Sequence, residues 1–432
     1  MRTNAYVSRL FLYYEYNYIN IFAKIFNVNS FIIDYTPLCY INITYFVMSN
    51  KITIFAIKFS YITKMSILEF CNSVPDCRNE KNRLYTASEL VFITLVSVLC
   101  GSDTWGDVEL FCRSQFDYFK KRLPNLKGVP SHDTLNRFFS VLDTSWFENA
   151  FRSWVADLCD GISGVVAIDG KAVCRNPESK SNSVKNRLYM VSAWASENGI
   201  CLGQEKVDSK SNEITALPKL IEALDLEGCI VTIDAIGCQK SIAKAIRKAG
   251  ADYLLCAKKN QKNLRNIVAA LVMEEHKKDG MCKWCEQEDE GHGRKEWREC
   301  VCVDFERLVP YFLEGWTDLR TLARVTEKRR LTDGTVTEDT RYYITSLPED
   351  PKLILKASRR HWSVENELHW RMDVAFREDY SRKKDNAAIN FSAICKIALM
   401  KLKECKLKVG LASKRKMCGW DERTRDMVLG IA

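Results

Sequence analysis

Long unbroken apolar runs are missing from the amino end of this 432-residue sequence. Polar and charged residues such as Asp34 and Lys58 interrupt the first 64 positions, which excludes a membrane-spanning helix of about 20 residues there. The short basic head and small-residue cleavage site of a secretory signal are missing too. Without such a signal, the 18 cysteines do not read as a disulfide framework. Their scattered positions, among them Cys71, Cys100, Cys159 and Cys256, suit reduced thiols in a cytoplasmic protein. No internal repeat or low-complexity linker divides the chain.

Residues 1–64 contain no glycine, whereas Ile, Tyr, Phe and Asn fill 34 of the positions. That bias, with neither helical nor alternating periodicity, suggests upstream DNA read as protein and a native start at Met65 in "MSILEF". Native peptides from before Met65, found by mass spectrometry, would overturn this expectation. The formal charge of +9 is a mild excess that permits nucleic-acid binding without requiring it. From Met65 onward 58 basic and 53 acidic residues leave +5.

Residues 65–160 read as a helical module. "ASELVFITLVSVLCG" is a buried helix stopped by Gly101, and "PSHDTLNRFFSVLD" carries the start signals Pro130, Ser131 and Asp133. Arg113, Lys120, Lys121, Arg122, Lys127 and Arg137 make this module basic, as a solvated face or a DNA-contacting one. After Gly164 the periodicity changes. "VVAID", "LYMVSAWAS" and "ICLGQEKV" read as a meander, the last two separated by the turn signal Asn198-Gly199. Helix "EITALPKLIEAL", strand "CIVTID", helix "QKSIAKAIRKAG" and strand "DYLLCAK" follow. The expected fold is α/β, a mixed sheet flanked by helices, spanning 161–406. Within it, 280–350 reads as a β-rich insertion. An amphipathic helix resumes near 352, a basic helix runs from about 387 to 408, and 407–432 reads as a basic tail.

Asp169 and Asp234 each close a β-branched strand, and ligands gather at strand ends in such sheets. Two carboxylates together repel unless a proton or cation intervenes, and magnesium suits oxygen donors. In "SVENELHW" Glu365 shares a helical face with His361 and His369. On spacing alone that face is more simply a hydrogen-bonded surface stripe, and HExxH zinc chemistry does not apply. Cys282 and Cys285, with Cys300, Cys302, His276 and His292 near, suggest structural zinc. C-x-C is a poor second half, however, and free thiols are the favoured reading.

"AIDGK", "VSAWASENGICLGQEKVDSKSNEITALPKL", "GCIVTIDAIGCQKSIAKAI", "GHGRKEWR" and "HWSVENELHWRMDVAFREDYSR" resemble the H-repeat-associated transposases, over about 66–406 and in order. These are insertion-sequence enzymes with an RNase H-like fold and an Asp-Asp-Glu site. The resemblance implies that Asp169, Asp234 and Glu365 are catalytic and bind Mg2+, with Mn2+ able to substitute. Glu365 is preferred to Glu367 only on this ground. Two divalent ions about 3.5–4 Å apart would activate an attacking oxygen and stabilise the leaving one. The implied partners are the element's terminal inverted repeats, target DNA and a second copy in the synaptic complex. The implied location is the cytoplasm, on the nucleoid when DNA-bound.

Relatives often carry Tyr and Arg before the glutamate and Lys after it; here that neighbourhood holds Ser358, Arg359, His361 and Met372. Arg359, His361 or Arg371 could substitute as the basic group. Lys259 in "KKNQ" stands where relatives tend to have glycine. Lys171, Arg175, Lys210, Lys258 and Arg382 are candidate phosphate contacts. The alternatives are a non-catalytic DNA-binding relic or regulator of the same fold, a zinc-stabilised structural protein, and a plain nuclease.

Overall fold

The first described helices owe their starts to side-chain caps. In the computed structural model, which describes residues 65–158, 161–173, 188–207, 213–278, 282–291, 294–308, 313 and 315–431, α1 (Ile67–Ser73) opens on a Ser66–Glu69 capping box. A Thr86–Glu89 box opens α2 (Ala87–Leu99), whose residues are buried from Glu89 to Leu99. A helix apolar all round belongs inside a core, and the polar Thr94 there donates to the Leu90 carbonyl at 2.8 Å. Next come α3 (Trp105–Ser114), α4 (Phe116–Arg122), α5 (His132–Val141) and α6 (Thr144–Leu158). Ser131 caps α5 through the Thr134 N–H at 3.2 Å. The expectations for residues 1–64, Arg175, Lys210 and His292 fall outside the described residues.

Strands β1 (Val165–Ala172), β2 (Tyr189–Ala195) and β3 (Ile200–Val207) form the antiparallel meander. Helix α7 (Glu213–Glu222) leads to β4 (Ile230–Ile233), and α8 (Lys240–Lys248) to β5 (Asp252–Ala257). β1, β4 and β5 lie parallel, giving the order 3-2-1-4-5 of an RNase H-like sheet. Helix α9 (Lys262–His276) precedes β6 (Lys283–Gly291), β7 (Arg294–Asp304), β8 (Thr321–Arg330) and β9 (Val336–Thr345).

The segment expected to be β-rich, about 280–350, forms strands that extend the central sheet. β9 pairs antiparallel with β5, and β8, β7 and β6 follow in one nine-stranded sheet. Helix α10 (Pro351–His361) packs across the sheet against β1, β4 and β5 to β8 and leads through a π-helical turn, Val364–His369, into α11 (Trp370–Phe376). The expected basic helix is α12 (Asp385–Glu404), and it is mostly buried, packed on α2, α5, α6 and β3. Its polar residues have internal partners: Asn390 Nδ2 donates to the Phe139 and Leu142 carbonyls at 3.0 Å each. The expected tail holds two more helices, α13 (Leu411–Trp420) and α14 (Glu422–Leu429), with Lys414, Arg415 and Arg425 buried. Among the described residues, no helix is long and apolar enough to cross a membrane.

Candidate active site

Register brings the two aspartates together. β1 and β4 run parallel with Ile168 opposite Ile233 as the last pair, so Asp169 and Asp234 occupy the next level, side by side. Asp169 does not end β1, as its sequence position suggested; the strand continues along β2 through Ala172. It marks where β1 outruns β4. β4 ends because Asp234 starts a 3-10 turn, Ala235–Gly237, and accepts from the Ala235 N–H at 2.6 Å. Gly237 is required there, since a Cβ would collide with the Ile233 side chain.

Alternation along the strands points Asp169, Lys171, Thr232 and Asp234 to one face. The helix following β9 lies on that face. Thr232 Oγ1 meets His361 Nδ1 at 3.1 Å, and Ser196 Oγ meets Ser363 Oγ at 2.7 Å. His369 Nδ1 stands 3.4 Å from Asp169 Oδ2, and its Nε2 is buried without a hydrogen-bond partner. The π-helical turn, where the Trp370 N–H bonds to the Glu365 carbonyl, carries both Glu365 and His369 toward the aspartates. Such turns are rare and frequent at functional sites. The stripe is thus divided: His361 and His369 are half-buried against the sheet, while Glu365 is exposed beside them.

Charge is unbalanced in this group. Burial, then the Asp169 charge, holds the Glu365 carboxyl above its ordinary range, with Asp234 adding to the effect. Burial also pushes the Asp234 carboxyl up, but the Lys258 hydrogen bond and the Ala235 N–H outweigh it, leaving it below the ordinary range. Lys258 Nζ lies 2.9 Å from Asp234 Oδ1. Burial keeps the His361 imidazole below its ordinary value despite both aspartates, so it is neutral near pH 7.

The donor set is hard oxygen, which suits a divalent cation. The mutual repulsion felt by Glu365 is of the kind a cation relieves. Among the described residues, however, no three His, Cys, Asp or Glu side chains yet converge closely enough to hold an ion.

A family model described as "Transposase DDE domain" matches residues 161–400, and "DDE_Tnp_1-associated" matches 68–155. The chain belongs to the DDE transposases. "Putative transposase YncI" of Escherichia coli O157:H7 is 36% identical over 360 residues, covering 81% of this chain and 91% of that protein. "H repeat-associated putative transposase YhhI" of Escherichia coli (strain K12) is 33% identical over 380 residues, covering 84% and 97%. A solved structure, a piggyBac transposase synaptic complex with hairpin DNA, aligns at 11% identity and a TM-score of 0.39, covering 85% of this chain and 77% of that one. That likeness is too loose to bear on the site.

The candidate phosphate contacts of this transposase divide sharply. Lys171 is not free: it is bonded to Asp373, to Glu378 at 3.1 Å and to the His369 carbonyl at 3.3 Å. Lys258 sits on Asp234. Arg359 bonds to Gln287 at 3.0 Å and Asp289 at 3.0 Å, Arg371 covers the Trp370 ring at 4.8 Å, and Arg382 is exposed. In the amino-terminal module, Lys120 reaches the Pro124 and Leu126 carbonyls, and Arg122 pairs with Glu422 and Asp426. Lys259 lies outside the left-handed region, so the turn after β5 accepts a lysine, and the adjacent Asn260 and Gln261 hold the Ala235 and Cys238 carbonyls at 2.7 and 3.0 Å.

Sequence reasoning missed Asp373 and Glu378. Asp373 was findable as the next i+4 step beyond His369; Glu378 carried no such signal. The described cysteines are free thiols. Cys282 Sγ lies 3.4 Å from His276 Nδ1, while Cys300 and Cys302 are buried on β7 with their sulfurs 3.6 Å apart. Beyond the carboxylates, a groove of about 670 Å3 between β6 and α10 is lined by Lys352, Lys356, Arg359, Arg360, Trp362 and Asn366 among others.

Proposed function

We propose that this transposase cuts phosphodiester bonds at the ends of its own insertion sequence and joins the freed 3′ ends to target DNA. Asp169, Asp234 and Glu365 are assigned as its catalytic carboxylates. The observation carrying this reading is the β1–β4 register, whose last pair precedes both aspartates at one sheet edge. The three side chains would hold Mg2+, or Mn2+ in its place. When bound, the metal supplies charge neutralisation at the reacting phosphate and a more acidic attacking hydroxyl.

The protein's own groups do the rest. Lys258 keeps Asp234 ionised and is the nearest cation to a phosphate approaching that carboxylate. His361, neutral and fixed by Thr232, orients the helix end without adding charge. No side-chain nucleophile is assigned, because the attacking oxygen comes from water and then from the DNA end. The basic groove beside α10 suits a phosphate backbone. Both ends are handled together, so a homodimer forms the synaptic complex, in the cytoplasm and on the nucleoid.

The test is full-length protein with Mg2+ or Mn2+ and DNA carrying the element's ends, wild type beside Asp234→Ala. Nicked and joined products with the wild type only, and DNA binding by both, are expected. DNA binding without breakage by either would favour the relic or regulator reading, and nicking without joining a plain nuclease.

A further inference from the structure

Two residues after Asp169 on the same face of β1, the Lys171 ammonium makes three contacts, all with the segment that carries Glu365 onward. It donates to the His369 carbonyl, the last residue of the π-helical turn, at 3.3 Å. It also bonds to Asp373, one turn further on, and to Glu378 beyond the helix end at 3.1 Å. Glu378 is buried and fixed from behind, accepting from Ser392 Oγ of α12 at 2.6 Å.

The repeats of the two elements fit. Side chains two apart on a strand are separated by about 6.6 Å, and residues four apart on a helix by about 6 Å. Asp169 faces His369 while Lys171 faces Asp373, so strand and helix are in step over one repeat. Sliding the helix by one turn would break both pairs and bury a lone ammonium, which is costly.

We propose that Lys171 is a positioning residue: it fastens the helix carrying Glu365 to the strand carrying Asp169, and so sets the spacing of the catalytic carboxylates. This rests in part on the function proposed above. A lysine beside the site that served DNA would need its charge free for phosphate. This one is 15% exposed at its side chain and ringed by two carboxylates and a carbonyl.

The experiment compares full-length wild type with Lys171→Met, Lys171→Arg, Asp373→Asn and the Lys171→Met/Asp373→Asn double variant. Amide hydrogen exchange across residues 366–376 is expected to be about ten-fold faster in Lys171→Met, with α2 and α12 unchanged. Binding to end DNA and its salt dependence stay at the wild-type level, while cleavage at saturating DNA falls about 100-fold. Lys171→Arg restores much of the rate. The double variant is no worse than Lys171→Met, since both remove one linkage.

A drop of about one in the slope of log affinity against log salt, with normal cleavage once DNA saturates, would overturn the proposal in favour of a phosphate contact. Unchanged exchange in 366–376 would overturn it as well. Should Lys171→Met fail to fold, Asp373→Asn, whose side chain is 30% exposed, gives the same readings in milder form. The exchange arm needs no turnover. A wild type that never cuts DNA, with local loosening still present in the variant, would overturn the function and leave the anchoring role standing.

Discussion

Glu148 in α6 faces β3, where its Oε2 accepts from the Gln204 N–H at 3.4 Å and its Oε1 has no hydrogen-bond partner. Burial pushes its carboxyl up to about 7, against the pull of Arg152 and Lys396. An unfolded glutamate titrates near 4.3. Between those values the native state binds a proton that the unfolded chain has lost, so stability falls as pH rises through the window. Glu148→Gln is expected to flatten that fall and to exceed wild type by on the order of 1–3 kcal/mol at about pH 8, with little gain at about pH 4. Urea unfolding at both pH values measures this; a lower midpoint for the variant at the higher pH would mean that the native carboxylate is charged and well paired. Glu378 behaves in the opposite sense. Burial raises its carboxyl, but Lys171 and Lys396 bring it below the ordinary range. Its contribution is complete above about pH 4.3 and lost as pH falls through the lowered native value. Glu378→Gln should therefore remove stability at neutral pH and lose its effect in acid, read by the same unfolding series. The difference between these two glutamates was invisible in the sequence. The neighbouring placement of Asp169 and Asp234 was legible because each follows an apolar, β-branched run; that β1 continues past Asp169 was not. Lys171 was legible only as a charge, because its partners lie some 200 positions away.

The π-helical turn carries Glu365, the proposed third carboxylate. An ordinary α-helix through Glu365 and His369 would have one residue fewer in that turn. Deleting Asn366 should let a continuous α-helix form, rotating either Glu365 or His369 away from the strand ends. The expected result is a folded protein by circular dichroism with cleavage reduced about 100-fold or more. Retained cleavage would show that the turn's shape is immaterial to the carboxylates. Sequence periodicity could not reveal this turn, because residues four apart share a side in both helix types. Elsewhere the elements with local signals were read well. "ICLGQEKV" is β3 to the residue, and Ser131 caps α5 as its position before "HDTL" implied. What escaped was membership. The β-rich character of 280–350 was legible, but not its attachment: β9 finds β5 and extends the sheet. Likewise α12 was legible only as a basic helix, because the partners of its Lys396 and Asn390 are distant in sequence; Gln204, Phe139 and Leu142 supply them.

In the unit formed by Met65–Ala432, the last helices tie distant parts of the chain together. Arg415 donates to the Val98 carbonyl at 2.6 Å, to Ser102 at 3.3 Å and to Asp103 Oδ1 at 3.0 Å, and it also bonds to the Ala375 carbonyl. Arg425 packs its guanidinium over Tyr118 at 4.4 Å, while Asp426 accepts from the Tyr118 hydroxyl at 2.8 Å. Removing the Arg415 guanidinium leaves several buried carbonyls unpaired. Arg415→Met should cost roughly 2–4 kcal/mol, measured as a lowered denaturant midpoint; an unchanged midpoint would mean that water replaces the arginine freely. Val98 lies in the last turn of α2, near the start of the described residues, and Ala375 lies in the helix that continues from Glu365. One side chain on α13 therefore grips both. A nascent polypeptide has the proposed carboxylates Asp169, Asp234 and Glu365 translated before Arg415 emerges, and until then lacks the clasp between α2 and the helix that continues from Glu365. A polypeptide that stops short of Arg415 would carry all three of those acidic residues and still lack that clasp.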